Sequence, residues 1–200
     1  MLEDGIRYRA LSRSDFKGTE APGPFAQVAD RVGAATCGQV LTTPDMRMLI
    51  HWQRSTDGET SYRLIAKRLR FQALMDRKCS WWNDKVAAFA PDYVLEHEQI
   101  HFALYELGAR RLNADSAGIM RDMESEGSTR EAVERHAEEA LNEALQDAVE
   151  EIVDQNRAFD EDTSLGYKPT RQKVWLERVN AELRATRQWA GAGGALARAL

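Results

Sequence analysis

Two histidines and a glutamate stand close together in Leu95-Glu96-His97-Glu98-Gln99-Ile100-His101-Phe102, an H-E-x-x-H run. On a helix, residues four apart lie one turn apart on the same face, so His97 and His101 aim two imidazoles at one ion. Glu98 is rotated about 100° from His97 and stands beside that ion rather than on it. There it can take a proton from the water that a zinc ion activates and pass it to a leaving amine. Zinc brings the pKa of water down to about 7, so a carboxylate is base enough. Tyr93, Val94, Ile100, Phe102 and Leu104 flank the run with apolar bulk and shield it from bulk water. Gly108, seven positions after His101, leaves room on that face for a neighbouring element.

A catalytic zinc takes three protein ligands and keeps one position open. A metzincin would place the third six residues after the second histidine, where this chain has Leu107. A carboxylate from a later helix is the other route. Glu143, Asp147 and Glu151 stand at the edge of a downstream apolar stripe, as does His136. Each can equally belong to a solvated acidic face or a helix boundary.

The elements that must position these groups change character along the chain. Up to about residue 80 the pattern is β-rich. Gly5–Leu11 alternates apolar and polar side chains, Gly18–Pro24 is a turn, and Gly33–Thr42 is a strand candidate. Met46–Trp52 and Tyr62–Met75 flank the turn signal Thr56-Asp57-Gly58-Glu59 and predict a hairpin. The alternation slips phase between Ala66 and Leu69, which predicts a bulge or a bend. After Trp82 the period becomes helical. Pro91 opens a helix expected to reach about Asn113, followed by a polar connection to Gly127. Ser128-Thr129-Arg130-Glu131 reads as a capping box before a long helix with Val133, Ala137, Leu141, Leu145 and Ile152 on one stripe. That helix is expected to break at about Phe159–Pro169. A last helix runs from Thr170 to about Trp189, and Gly191–Leu200 reads as a loosely held tail.

Composition narrows the partners. The 200-residue chain is 43% hydrophobic and 30% charged, the balance of a globular protein able to bury a core. Its net charge of -5 argues against nucleic acid, whose binders are normally basic. No apolar run approaches the ~18 residues of a membrane span. The opening Met1-Leu2-Glu3-Asp4-Gly5-Ile6 lacks the basic and apolar regions of a secretory signal. Cys37 and Cys79 lack metal-ligand spacing; they read as structural, either paired or buried as thiols.

Three segments stand out together: Ser80-Trp81-Trp82, the His97-Glu98-Gln99-Ile100-His101-Phe102 core, and Phe159-Asp160-Glu161-Asp162-Thr163-Ser164-Leu165-Gly166. In combination they resemble a bacterial family of uncharacterised, predicted secreted zinc-dependent proteases. Tyr8–Gly18, with Ser14-Asp15-Phe16-Lys17-Gly18, is similar to that family's N-terminal strand. The family's downstream motif is Tyr-Asp-x-x-Thr-x-His-Gly. Here Phe159 replaces the Tyr, Asp160, Thr163 and Gly166 match, and Leu165 stands where the His belongs. With that His missing, the resemblance points to Asp160 as third zinc ligand, in a Gly-containing turn folded over the active helix, with Asp162 next. Tyr167 is a candidate oxyanion donor.

The expectation is therefore an α+β, zincin-like metallopeptidase domain over 1–190: β-rich in 1–80, helical in 91–189, with a flexible 191–200 tail. Its site is Zn2+ on His97, His101 and Asp160 with Glu98 as base and acid. Its substrate is a peptide or protein, or a non-protein amide for a zinc amidase. By resemblance it is periplasmic or extracellular. The Leu165 substitution also fits a degenerate relative that binds zinc and serves as a scaffold.

Overall fold

Thirty-three consecutive helical residues, Pro91–Met123 (α2), form the axis on which the rest is assembled. The computed structural model describes residues 4–191. Around α2 stand three small antiparallel sheets and two further long helices, a mixed α+β architecture. From the N-terminus the strands are β1 (Gly5–Arg7), β2 (Ala34–Ala35), β3 (Gly38–Thr42), β4 (Arg47–Arg54), β5 (Thr60–Arg68), β6 (Phe71–Asp76) and β7 (Trp81–Trp82). A short helix α1 (Asp84–Ala87) precedes α2. After it come β8 (Ser125–Gly127), α3 (Arg130–Thr163) and α4 (Pro169–Ala185). No helix among the described residues is long and apolar enough to cross a membrane. All but the first residue of the expected 191–200 tail lies outside the described residues.

The phase slip in the strand region is a change of sheet. β5 pairs with β4 and β8, while β6, two residues later, pairs with β1 and β3. Phe71, Ala73 and Met75 point from β6 into the core that α2 covers, and the residues between them are only half-buried. The expected strand over Gly5–Leu11 stops at Arg7, because the Leu11 N–H leaves the ladder and donates to Gln99 Oε1 at 2.6 Å. Gln99 Nε2 in turn donates to Arg9 O at 3.2 Å. Gln99 therefore pins the N-terminal segment to α2. The single strand expected over Gly33–Thr42 is two, divided at Thr36 and Cys37. Cys37 is paired with Cys79.

The helices run further than their polar residues suggest. α2 continues past Asn113 to Met123, so most of the expected 113–127 connection is helical. Asn113 is tolerated mid-helix because its side chain serves β6: Oδ1 accepts from Phe71 N at 2.8 Å and Nδ2 donates to Phe71 O at 2.9 Å. Leu112, Ile119 and Met123 keep the buried face going. The cap of α3 is Thr129, whose Oγ1 accepts from Ala132 N at 3.2 Å, one residue later than the expected Ser128 box. Between His97 and Arg110 almost every residue of α2 is buried, since sheet, α3 and α4 surround it. Gly108 lets α3 approach: a Cβ there would lie 2.2 Å from Ile152 Cδ1. Glu106 and Arg110, buried and paired at 2.7 Å, tie α2 to the end of α4 through Arg110 Nη1 on Leu183 O.

Candidate metal centre

His97 and His101 face α3, whose last turn delivers Asp160 between them. Asp160 Oδ1 lies 3.2 Å from His97 Nε2 and 3.2 Å from His101 Nε2, and the two Nε2 atoms are 3.1 Å apart. The resemblance placed Asp160 in a turn; it is helical, because α3 runs on to Thr163. Its neighbour Phe159 is fully buried and holds the register, stacking on the His97 ring at 4.4 Å and meeting the His101 ring edge-on at 4.9 Å. Trp175 of α4 backs Phe159 at 5.4 Å.

The triangle fits a small divalent ion. Ligand bonds of about 2.0–2.1 Å in a tetrahedral site put donor atoms about 3.3 Å apart, close to the three separations here. The donor set, two imidazoles and one carboxylate, is one that zinc takes. Among the described residues this is the group of His, Cys, Asp and Glu side chains able to hold a metal ion. Without an ion, a proton serves the site. Burial disfavours charge on His101, yet Asp160 beside it more than compensates and raises its pKa to about 9. Burial likewise pushes Asp160 up, and the two imidazoles, His101 foremost, pull its carboxyl well below the ordinary value.

Each imidazole is also held at its other nitrogen. His97 Nδ1 meets Gln172 Oε1 at 3.1 Å, and His101 Nδ1 meets Asn156 Oδ1 at 2.6 Å. Neither partner was singled out from the sequence. Asn156 carried a faint signal, since it precedes Asp160 by one helical turn on the same face. Gln172, on the far helix, carried none.

Glu98 is 2% exposed, and its Oε2 has no hydrogen-bond partner among the described residues. An unpaired carboxylate oxygen is costly to bury. It lines a cleft of about 1230 Å3 that also contains His97, His101 and Asp160. Phe25, Val32, Val86, Phe89 and Val153 make its walls largely apolar, and Phe89 stands 95% exposed. β2 forms one side of it through Gly33–Thr36. The Ser80-Trp81-Trp82 segment builds that side: Trp81 and Trp82 pair with Ala35 and Ala34, and Ser80 Oγ accepts from Cys37 N at 3.0 Å.

The other predicted residues lie outside the triangle. Asp162 is engaged by Arg171 at 2.7 Å and by the Trp175 indole at 2.9 Å. Glu143, Asp147 and Glu151 line a separate groove, where Glu151 meets Arg111 at 3.3 Å. His136 Nε2 contacts Asp122 O at 2.9 Å. Tyr167 reaches the cleft, but its hydroxyl donates to Arg31 O at 2.8 Å. Leu165 lines the cleft as well, as part of its apolar wall. The turn carrying it is strained: Ser164 and Leu165 have φ of 51° and 56°, ahead of Gly166 at 87°. Gly166 lies over the His97 ring, and its carbonyl accepts from Tyr93 Oη at 2.6 Å. Thr163, the matched Thr, is fully buried and steadies this turn, with Oγ1 donating to Phe159 O at 2.7 Å and accepting from Gly166 N at 3.3 Å. No family model, curated protein or solved structure matches the chain.

Proposed function

We propose that this chain is a zinc-dependent, zincin-like metallopeptidase. The observation that carries the reading is the near-equilateral triangle of His97 Nε2, His101 Nε2 and Asp160 Oδ1 at the cleft where Glu98 keeps an unpaired carboxylate oxygen. A zinc ion there would supply Lewis acidity, polarising a carbonyl and lowering the pKa of water. Glu98 takes the proton from the attacking water and returns it to the leaving amine. Asp160 and the two histidines bind; the apolar walls exclude bulk water and accept peptide side chains. The resemblance to predicted secreted zinc proteases supports the same reading. The Cys37–Cys79 pair supports residence in an oxidising compartment, periplasmic or extracellular.

Purified protein is expected to carry one zinc per chain by plasma mass spectrometry and to cleave members of a peptide library. Glu98→Gln is expected to keep the zinc and lose at least 100-fold in rate. Absence of stoichiometric zinc would sink the metal assignment, and undiminished cleavage by Glu98→Gln would sink the mechanism. A second reading is favoured by Leu165, which cannot replace the family's His: a zinc-binding relative without catalysis, for which wild type carries zinc and cleaves nothing.

A further inference from the structure

We propose that Gln172 and Asn156 are the positioning residues of the metal centre, two neutral amides that hold both histidines as Nδ1–H tautomers with their Nε2 lone pairs turned to one ion. The inference rests on the metal reading above and adds to it the groups that make the triangle a ligand set.

A neutral imidazole has one N–H, and the partner of one nitrogen decides which nitrogen is left to bind metal. That partner must therefore be an acceptor, and the networks leave no freedom in which end of each amide faces its histidine. Gln172 Nε2 lies 3.0 Å from Glu96 Oε1 and 3.2 Å from Tyr93 O, two groups that can only accept. The amide nitrogen must point to them, which turns Oε1 to His97 Nδ1 at 3.1 Å. Asn156 Nδ2 is engaged in the same way by Ile152 O at 2.7 Å, which turns Oδ1 to His101 Nδ1 at 2.6 Å. An amide oxygen takes no proton at ordinary pH, so each imidazole keeps its Nδ1 hydrogen and offers Nε2.

Gln172 is wholly buried, and α4 supplies no metal ligand of its own. Its three contacts all reach α2, so the docking of α4 is built into the aim of His97. Asn156 does the same for His101 from α3, one turn before Asp160. One face of α3 thus provides both a ligand and the guide for another ligand.

Zinc affinity is measured by competition with a chromophoric chelator, using zinc alone and the full chain. Gln172→Met and Asn156→Leu, which remove the acceptor at similar volume, are each expected to weaken zinc 10–100-fold. Asn156→Asp keeps an acceptor oxygen and is expected to stay within about threefold of wild type. Two-bond nitrogen–proton NMR on zinc-loaded wild type is expected to show Nδ1–H on both histidines, a signature that a merely structural role would not fix. The proposal is overturned if both acceptor-less variants, folded by circular dichroism, bind zinc within twofold of wild type, or if either histidine carries Nε2–H. If Gln172→Met fails to fold, the Asn156→Leu and Asn156→Asp pair decides. A wild type that binds no zinc overturns the metal reading itself, which is distinguishable from wild type and variants binding equally.

Discussion

Replacing Gly108 by alanine sets two effects of opposite sign against each other. In a helix interior the change should stabilise by about 1 kcal/mol, since glycine is the poorer helix former. Against this, the new Cβ would lie 2.2 Å from Ile152 Cδ1 and 2.6 Å from Cγ1. Carbon contacts settle at about 3.5–4.0 Å, and Ile152 is fully buried. Overpacking on this scale costs about 1–3 kcal/mol, and an overlap of more than an ångström belongs at the upper end. The expected net result is a loss of about 2 kcal/mol, read as a lower urea midpoint with an unchanged slope in the zinc-free protein. Ile152→Val alone should cost about 1 kcal/mol. Combined with Gly108→Ala it should cost less than the sum, because removal of Cδ1 relieves part of the clash. The displacement reaches the site too. Ile152 O holds Asn156, and Asp160 is one turn further along the same helix, so zinc affinity should fall along with stability. A Gly108→Ala variant about 1 kcal/mol more stable than wild type would refute the close-approach argument, since helix propensity would then be acting alone.

In zinc-free protein the His101 pKa rises from 6.5 to about 9. A proton held more tightly in the folded state stabilises fully below the lower value and is lost through the upper. Thermal midpoints without zinc should therefore decline between about pH 6.5 and 9, while zinc affinity rises over the same interval; a flat zinc-free profile would contradict the His101–Asp160 pairing. Cys79→Ser removes a link between residues 42 apart, and loop entropy puts the loss at about 3–4 kcal/mol by chemical denaturation. Leu165→Asn should gain up to about 1 kcal/mol, because asparagine tolerates the left-handed region that Leu165 occupies; a loss would show that the leucine side chain holds the turn.

Local spacing was enough to place His97, Glu98 and His101, because four residues on a helix is a geometric statement that tertiary structure need not amend. Asp160 came from its likeness to a family motif, and its helical setting was missed because α3 continues four residues past Phe159, where the break was expected to begin, and turns only at Ser164. The apolar stripe of α3 was legible, whereas the end of α2 was not. Asn113 looks like a terminator until its partner, the backbone of Phe71, is known. Gln172 illustrates the same limit more sharply: a glutamine among charged residues on an amphipathic helix is indistinguishable from a solvated one until the helix is docked. The phase slip after Ala66 was visible as a bend, but the identity of each strand's neighbours, which makes it a change of sheet, depends on pairing partners up to 71 residues away, as between Gly5 and Asp76 of their respective strands.

The ligands' distribution along the chain also sets an order of events. His97 and His101 come from one helical turn, but Asp160 follows 63 residues after His97 on a different helix. The two histidines can meet one ion within a single helix, but a third bond from Asp160 would exist only once α2 and α3 have docked. Such a site is completed by folding, so its affinity for an ion would report the docking of α2 on α3.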